Sequence, residues 1–313
     1  MLTPPCAPPA RALLLAVGAA FVLLPASVPA RAQGAAADSA EPRPDGSRAS
    51  ACGPGEDAGG ERQYRGFACE RRILALGPRA ALSVDAGPSG GISVRGTSGR
   101  VDAPGRGPAR DSVTVVATVT AYARTDSKAA RLAATVALAD SGGMLRAQGP
   151  ARRYDARGRD PWWSVAWRAE VPRHTDLTLR ATNGGVRVAG VAGRLRLETV
   201  NGRIELDSVA GQVRGRATNG GVAAVLTGAA WDAAGLAEAG LDLTSTNGGA
   251  MLRLPAVYSA RVSVGSINGP LAVRYPVGAA RRGGNELDVT LGGGGAPVRV
   301  FSYNGGVWLS VVR

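Results

Sequence analysis

Asn-Gly occurs six times in the second half of the chain, at Asn183, Asn201, Asn219, Asn247, Asn268 and Asn304, with spacings of 18, 18, 28, 21 and 36 residues. Self-similarity at such an interval marks a repeat architecture, whose units bury their apolar faces only against one another. The columns around each Asn repeat as well. Six residues before it stand Leu177, Leu195, Val213, Leu241, Val262 and Val298; four before it stand Leu179, Leu197, Gly215, Leu243, Val264 and Val300. Two before it come the small residues Ala181, Thr199, Ala217, Ser245, Ser266 and Ser302, and three after it Val186, Ile204, Val222, Ala250, Leu271 and Val307. Each unit therefore reads as two alternating strands joined at the Asn-Gly turn.

The inward parity slips by one residue at that turn, so the reading expects a bulge there, with the glycine supplying a positive φ. Asn itself falls on the inward parity, which predicts a hydrogen-bonded stack of amides inside the turn. An isolated hairpin also uses Asn-Gly, but it leaves the alignment of whole units unexplained. The expected fold is all-β dominated: a parallel β-solenoid of ~18-residue coils with an N-terminal α/β cap or insertion. The 36-residue gap suits two coils, with Val289 and Leu291 at the post-turn positions of a unit lacking its Asn-Gly; the 28-residue gap suits a loop around Ala229 to Gly240. Charges keep to the columns too: Arg180, Glu198 and Arg216 become neighbours in a parallel stack, as do Arg187 and Glu205, favouring the correct register.

Before the regular coils, Leu82, Val84, Ala86, Ile92 and Val94 form a degenerate unit with Pro88 in the Asn column. Val113 to Tyr122, Met144 to Ala147 and Trp163 to Val171 read as strands, and Thr125 to Val136 as a short helix. Trp163 and Trp167 share a parity, expected to be buried, while Trp162 points the other way.

At the N-terminus, Arg11 precedes an apolar run from Ala12 to Leu24, and Ala30-Arg31-Ala32 fits a signal-peptidase site. That run is too short to span a ~30 Å bilayer core. The expected division is a signal peptide at 1–32, a disordered tether at 33–51, an N-terminal region at 52–173 and the regular solenoid at 174–313. The mature chain is expected to lack a transmembrane anchor and to be exported, to the periplasm or the cell surface. Cys52 and Cys69 then form one even pair in an oxidising compartment and are expected to be bridged.

The runs LSVDAGPSGGISVRG, VPRHTDLTLRATNGGVRVAGVAG and VRVFSYNGGVWL resemble the DUF4097-type putative adhesin family, over roughly Leu74 to Val311. The resemblance implies an exported β-repeat protein and transfers no catalytic residue. Arg203 and Pro270 stand where that pattern usually has Gly, so those two turns are expected to be tighter or offset.

One histidine and three cysteines leave little for a His/Cys metal site, and no cofactor motif is present. The net charge of +13 is almost wholly arginine, Lys128 being the only lysine; this skew fits a coding bias, and no nucleic-acid partner is expected. Arg196 and Arg214 share an outward column, and Arg187, Arg194 and Arg203 lie on nearby outward positions, so these five are candidates for binding a polyanion. The expected function is non-enzymatic: binding an anionic envelope polymer, glycan or protein, or a structural role at the cell envelope. The alternative is a polysaccharide lyase or hydrolase, since parallel β-helices also host such enzymes. Glycosidic chemistry needs two carboxylates flanking one bond, whereas the columns offer alternating Arg and Glu.

Overall fold

The computed structural model describes residues 66–97, 112–141, 143–151, 161–277 and 281–312. The segments expected to be a signal peptide and a tether, and Cys52, lie outside them. The N-terminal part contributes β1 (Gly66–Pro78), β2 (Ala81–Asp85), β3 (Ile92–Thr97), β4 (Ser112–Ala123), helix α1 (Asp126–Thr135), β5 (Ala137–Ser141), β6 (Met144–Gln148) and β7 (Trp162–Pro172). Strand pairs around the Asn-Gly turns follow: β8 (Asp176–Asn183) with β9 (Val186–Ala189), β10 (Ala192–Asn201) with β11 (Ile204–Asp207), and β12 (Ala210–Ala217) with β13 (Val222–Val225). Next come β14 (Gly240–Asn247) with β15 (Ala250–Leu254), and β16 (Ala260–Ser266) with β17 (Leu271–Arg274). A hairpin, β18 (Arg281–Gly283) and β19 (Glu286–Leu291), precedes the last pair, β20 (Pro297–Asn304) and β21 (Val307–Val311).

Each Asn-Gly unit gives one strand to each of two large sheets. The ten-stranded sheet runs β1-β4-β7-β3-β9-β11-β13-β15-β21-β17, and the eleven-stranded sheet runs β18-β19-β16-β20-β14-β12-β10-β8-β2-β6-β5. Among the repeat units the pairing is parallel and in register: Leu177, Leu195, Val213, Leu241, Val298 and Val262 stand side by side across six strands. All six are at most 2% exposed. Burying one such side chain contributes ~1.5–3 kcal/mol, and a one-residue slip would turn a strand's whole set to water. Gly215 leaves a gap in the adjoining column, and Leu243 Cδ2 fills it, 2.6 Å from where a Cβ would sit.

The sheets are mixed, which corrects the expectation of a parallel coil throughout. β1, β4 and β7 pair antiparallel, as do β5 with β6, β16 with β19, and β19 with β18. The degenerate unit takes its expected place: β2 lies against β8 with Leu82 beside Leu177, and β3 against β9 with Ile92 beside Val186. Helix α1 starts after Thr125, whose hydroxyl accepts from the Lys128 N–H, and it buries Ala129 and Ala133. The long strand β1 carries no strict alternation in its sequence, so no period-2 pattern marks it.

The 36-residue gap holds no second coil. Val289 and Leu291 are buried, but on β19, which runs antiparallel to β16 and carries the short edge strand β18 on its other side. The final unit goes elsewhere: β20 inserts between β14 and β16, and β21 between β15 and β17. Spatial order thus differs from chain order, with the Asn304 unit lying between those of Asn247 and Asn268. The 28-residue gap does hold a loop, anchored by buried Trp231, whose indole N–H donates to the Gly211 carbonyl at 2.9 Å.

The Asn side chains form an unbroken ladder. Asn201 donates to Asn183 (2.7 Å), Asn219 to Asn201 (2.8 Å), Asn247 to Asn219 (2.9 Å), Asn304 to Asn247 (2.8 Å) and Asn268 to Asn304 (2.9 Å). Asn183 closes it by donating to the Pro88 carbonyl. Contrary to expectation, all six are exposed, so the ladder runs along a corner of the stack. The buried polar column is the hydroxyl set two residues earlier: Thr199 donates to Gly184 O, Ser245 to Gly220 O and Gly248 O, Ser266 to Gly305 O, and Ser302 to Gly248 O, at 2.7–2.9 Å. These bonds satisfy hydroxyls that burial would otherwise leave unpaired.

The glycine after Asn is required for a different reason than the expected one. It is absent from the residues with positive φ; instead, a Cβ on Gly202 would lie 2.1 Å from Gly184 O, and one on Gly220 1.9 Å from Gly202 O. Successive turns stack backbone on backbone, and no side chain fits between them. The next position is glycine in four units but admits other residues in two. Arg203 and Pro270 keep the common carbonyl ladder, accepting from Val186 N–H and Val307 N–H at 2.9 Å each, so neither turn is offset.

Candidate polyanion-binding face

The five candidate arginines do not form one surface. Arg196 on β10 and Arg214 on β12 are direct cross-strand neighbours on the outer face of the eleven-stranded sheet, both exposed. Arg187 and Arg203 belong to the other sheet's side. Arg187 is ion-paired with Glu205, and its column neighbour Ser93 lies on β3. Arg194 is held at its own strand's start by Asp176, which accepts from the Arg194 backbone N–H (2.7 Å) and pairs with its guanidinium at 3.4 Å. The pairing of Arg180 with Glu198 at 3.3 Å matches the alternating-charge column; at about 60% exposure on each side it contributes at most ~1 kcal/mol.

Around Arg196 and Arg214 the outer face forms an open cleft of about 250 Å³, lined also by Arg216, Glu198, Asp242 and Thr244. Arg214 lies beside Asp242, and Asp242 beside Arg299. Among the described residues, Arg196, Arg214, Arg216 and Arg299 form no ion pair. Like charges placed directly opposite destabilise a sheet, so the Arg196–Arg214 adjacency works against the fold unless an anion meets it. Arg216 and Arg299 were not among the sequence candidates; their column positions alone carried the signal. A second depression, of about 310 Å³, lies on the ten-stranded sheet beside Arg168, Arg187, Arg203 and Glu205.

His174 is exposed and bridges to Ala192 at the entry to the first regular coil. Trp167 is buried, with its indole N–H unpartnered. Trp163 is half-buried and donates to the Pro150 carbonyl at 3.0 Å. Trp162 stacks on Tyr122 at 4.6 Å between ring centres, and Tyr122 meets Phe67 at 5.2 Å, one aromatic row across β7, β4 and β1. Cys69 lies on β1 and is disulfide-bonded, with Cys52 outside the described residues. No group of three or more His, Cys, Asp or Glu among the described residues can hold a metal ion, and no helix there is long and apolar enough to cross a membrane.

No protein-family model and no curated protein matches the chain. Solved structures do. A putative cell adhesion protein from Clostridium sporogenes is 11% identical, covers 78% of this chain and 100% of its own, and has a TM-score of 0.38. A putative adhesin from Bacteroides fragilis is 10% identical over 78% of this chain and 97% of its own, with a TM-score of 0.30. A putative lipid binding protein from Parabacteroides distasonis is 12% identical over 80% of this chain and 98% of its own, with a TM-score of 0.29. At these values the neighbours carry no argument about what this chain does.

Proposed function

We propose that the chain is an exported, non-enzymatic β-solenoid of the adhesin-like kind that binds an acidic glycan of the cell envelope through the outer face of its eleven-stranded sheet. The single observation behind this is the unpaired, in-register couple Arg196–Arg214, with Arg216 and Arg299 beside it. Parallel strands lie ~4.8 Å apart, so the guanidinium groups present a rigid, forked row suited to successive carboxylates or sulfates. The carboxylates of Glu198, Glu205 and Asp176 are each engaged by an arginine, a register device rather than a flanking acid pair.

The test is binding of the mature protein to immobilised long-chain polygalacturonate across a salt series. Affinity is expected to fall as salt rises past ~0.15 M, where charges are screened over ~8 Å. Arg196→Glu with Arg214→Glu should cut binding at least tenfold at an unchanged melting temperature. Binding indifferent to both substitutions, or depolymerisation of the polymer by pure protein, would overturn the reading.

A further inference from the structure

The opposite face carries a second feature, at the end of the ten-stranded sheet where β15, β21 and β17 lie side by side. Their outward residues form three rows of three. Trp308 stands between Met251 and Ala272, and Ser310 between Arg253 and Arg274. The remaining row is Gly249, Gly306 and Pro270, linked by backbone hydrogen bonds from Ala250 N–H to Gly306 O and from Val307 N–H to Pro270 O.

Trp308 is 44% exposed, in a chain with only 5 tryptophans, whereas Trp167 and Trp231 are under 10% exposed. Its six-membered ring lies 2.7 Å from where a Cβ of Gly249 would be and 2.9 Å from that of Gly306. The indole thus occupies the space of two missing side chains and lies along the sheet, leaving its outer face open. A side chain at either glycine would push the ring off the surface. No acidic residue occurs on the three strands. Among the described residues Arg253 and Arg274 form no ion pair, and both are exposed. Two strand spacings separate them, ~9.5 Å at the backbone.

A flat, uncovered aromatic ring flanked by two unpaired guanidinium groups has one well-defined complement: a molecule with a flat array of C–H groups and a carboxylate at its rim. We propose that Trp308, Arg253 and Arg274 form a binding site for a uronic-acid unit of an acidic glycan. The C–H face of the pyranose stacks on the indole, which accepts polarised C–H groups on its electron-rich face. The sugar carboxylate takes paired N–H donors from one of the two arginines. A lipid surface fits less well, because membrane insertion needs apolar side chains that project, and this ring lies flat between the half-buried Met251 and Ala272, over Gly249 and Gly306. The inference takes from the preceding reading only the ligand class. The sites are on different sheets, and each fails by its own substitutions.

The test uses isothermal titration of the full mature chain with galacturonate hexamer, a neutral glucose hexamer, and vesicles containing an anionic phospholipid. The uronate oligomer should bind and the neutral one at least tenfold more weakly. With the other site removed by Arg196→Glu and Arg214→Glu, Trp308→Ala should weaken the remaining uronate binding at least tenfold, and Trp308→Tyr should restore most of it. Arg253→Gln with Arg274→Gln, two exposed positions, should abolish the preference for uronate. If Trp308→Ala lowers the melting temperature, that arginine pair decides the matter. No uronate binding at millimolar concentration, equal affinity for the neutral oligomer, insensitivity to the arginine pair, or Trp308-dependent binding to vesicles alone would overturn the site.

Discussion

Asn304 donates its side-chain amide to Asn247 at 2.8 Å, across 57 residues of sequence, and accepts from Asn268 on its other side. The last unit of the chain is therefore an interior unit of the stack. Both sheets close around it, and the corner ladder passes through it.

Removing an interior rung should cost more than removing the last one. Asn304→Ala loses an accepted and a donated bond, whereas Asn268→Ala loses the donated bond alone. At ~0.5–1.5 kcal/mol per net hydrogen bond, Asn304→Ala should cost about 1–2 kcal/mol in urea unfolding and Asn268→Ala about half that. A chain ending at residue 296 should lose its cooperative transition, since a gap opens between β14 and β16 and between β15 and β17. Retention of a full cooperative melt would contradict the inserted order.

Three consecutive residues should give three different outcomes. Gly202→Ala drives a Cβ into the Gly184 carbonyl, and backbone cannot yield as a side-chain tip would; a loss of ~3 kcal/mol or more is expected. Arg203→Asp faces outward and should change stability by ~0.5 kcal/mol. Ile204, with 0% exposure, sits in the core column, and Ile204→Asp strands a carboxylate there at a cost of several kcal/mol. Thermal melts of the three variants check the order; equal shifts would reject the two-faced strand.

Stability should fall as pH rises above ~10, because of one buried phenol. Burial, with a smaller contribution from neighbouring Tyr275, pushes the Tyr258 phenol up to about 12 from its ordinary 10.0. The folded state thus holds this proton where the unfolded chain has released it. The stability it contributes is complete below pH ~10 and is lost as pH rises towards 12, on the order of 2 kcal/mol in all. Tyr258→Phe should flatten the fall in melting temperature over that interval, and an unchanged slope would assign the loss to other groups.

Cys69 should show no free thiol in exported material, with Cys52 as its partner. Mass spectrometry after alkylation without reduction decides this, and two labelled cysteines would reject the bridge.

Local sequence determined the strands, their inward and outward faces and the register among the repeat units, because a period-2 pattern fixes which side is buried and the Asn-Gly turn fixes where each strand ends. It also located the degenerate first unit, helix α1 and the Arg196–Arg214 column. The tertiary structure decided what depends on contacts between distant segments. Val289 and Leu291 carry the same alternation in a stacked coil as in an antiparallel hairpin strand, so parity could not tell one from the other. Nothing local to residues 297–311 says that their best-matched neighbours are Asn247 on one side and Asn268 on the other. The turn glycines look alike whether they serve a positive φ or a close approach of backbones, and only the stacked carbonyls show that it is the latter. Trp308 reads as an ordinary outward residue until Gly249 and Gly306, 57 residues apart in sequence, are brought together beneath its ring.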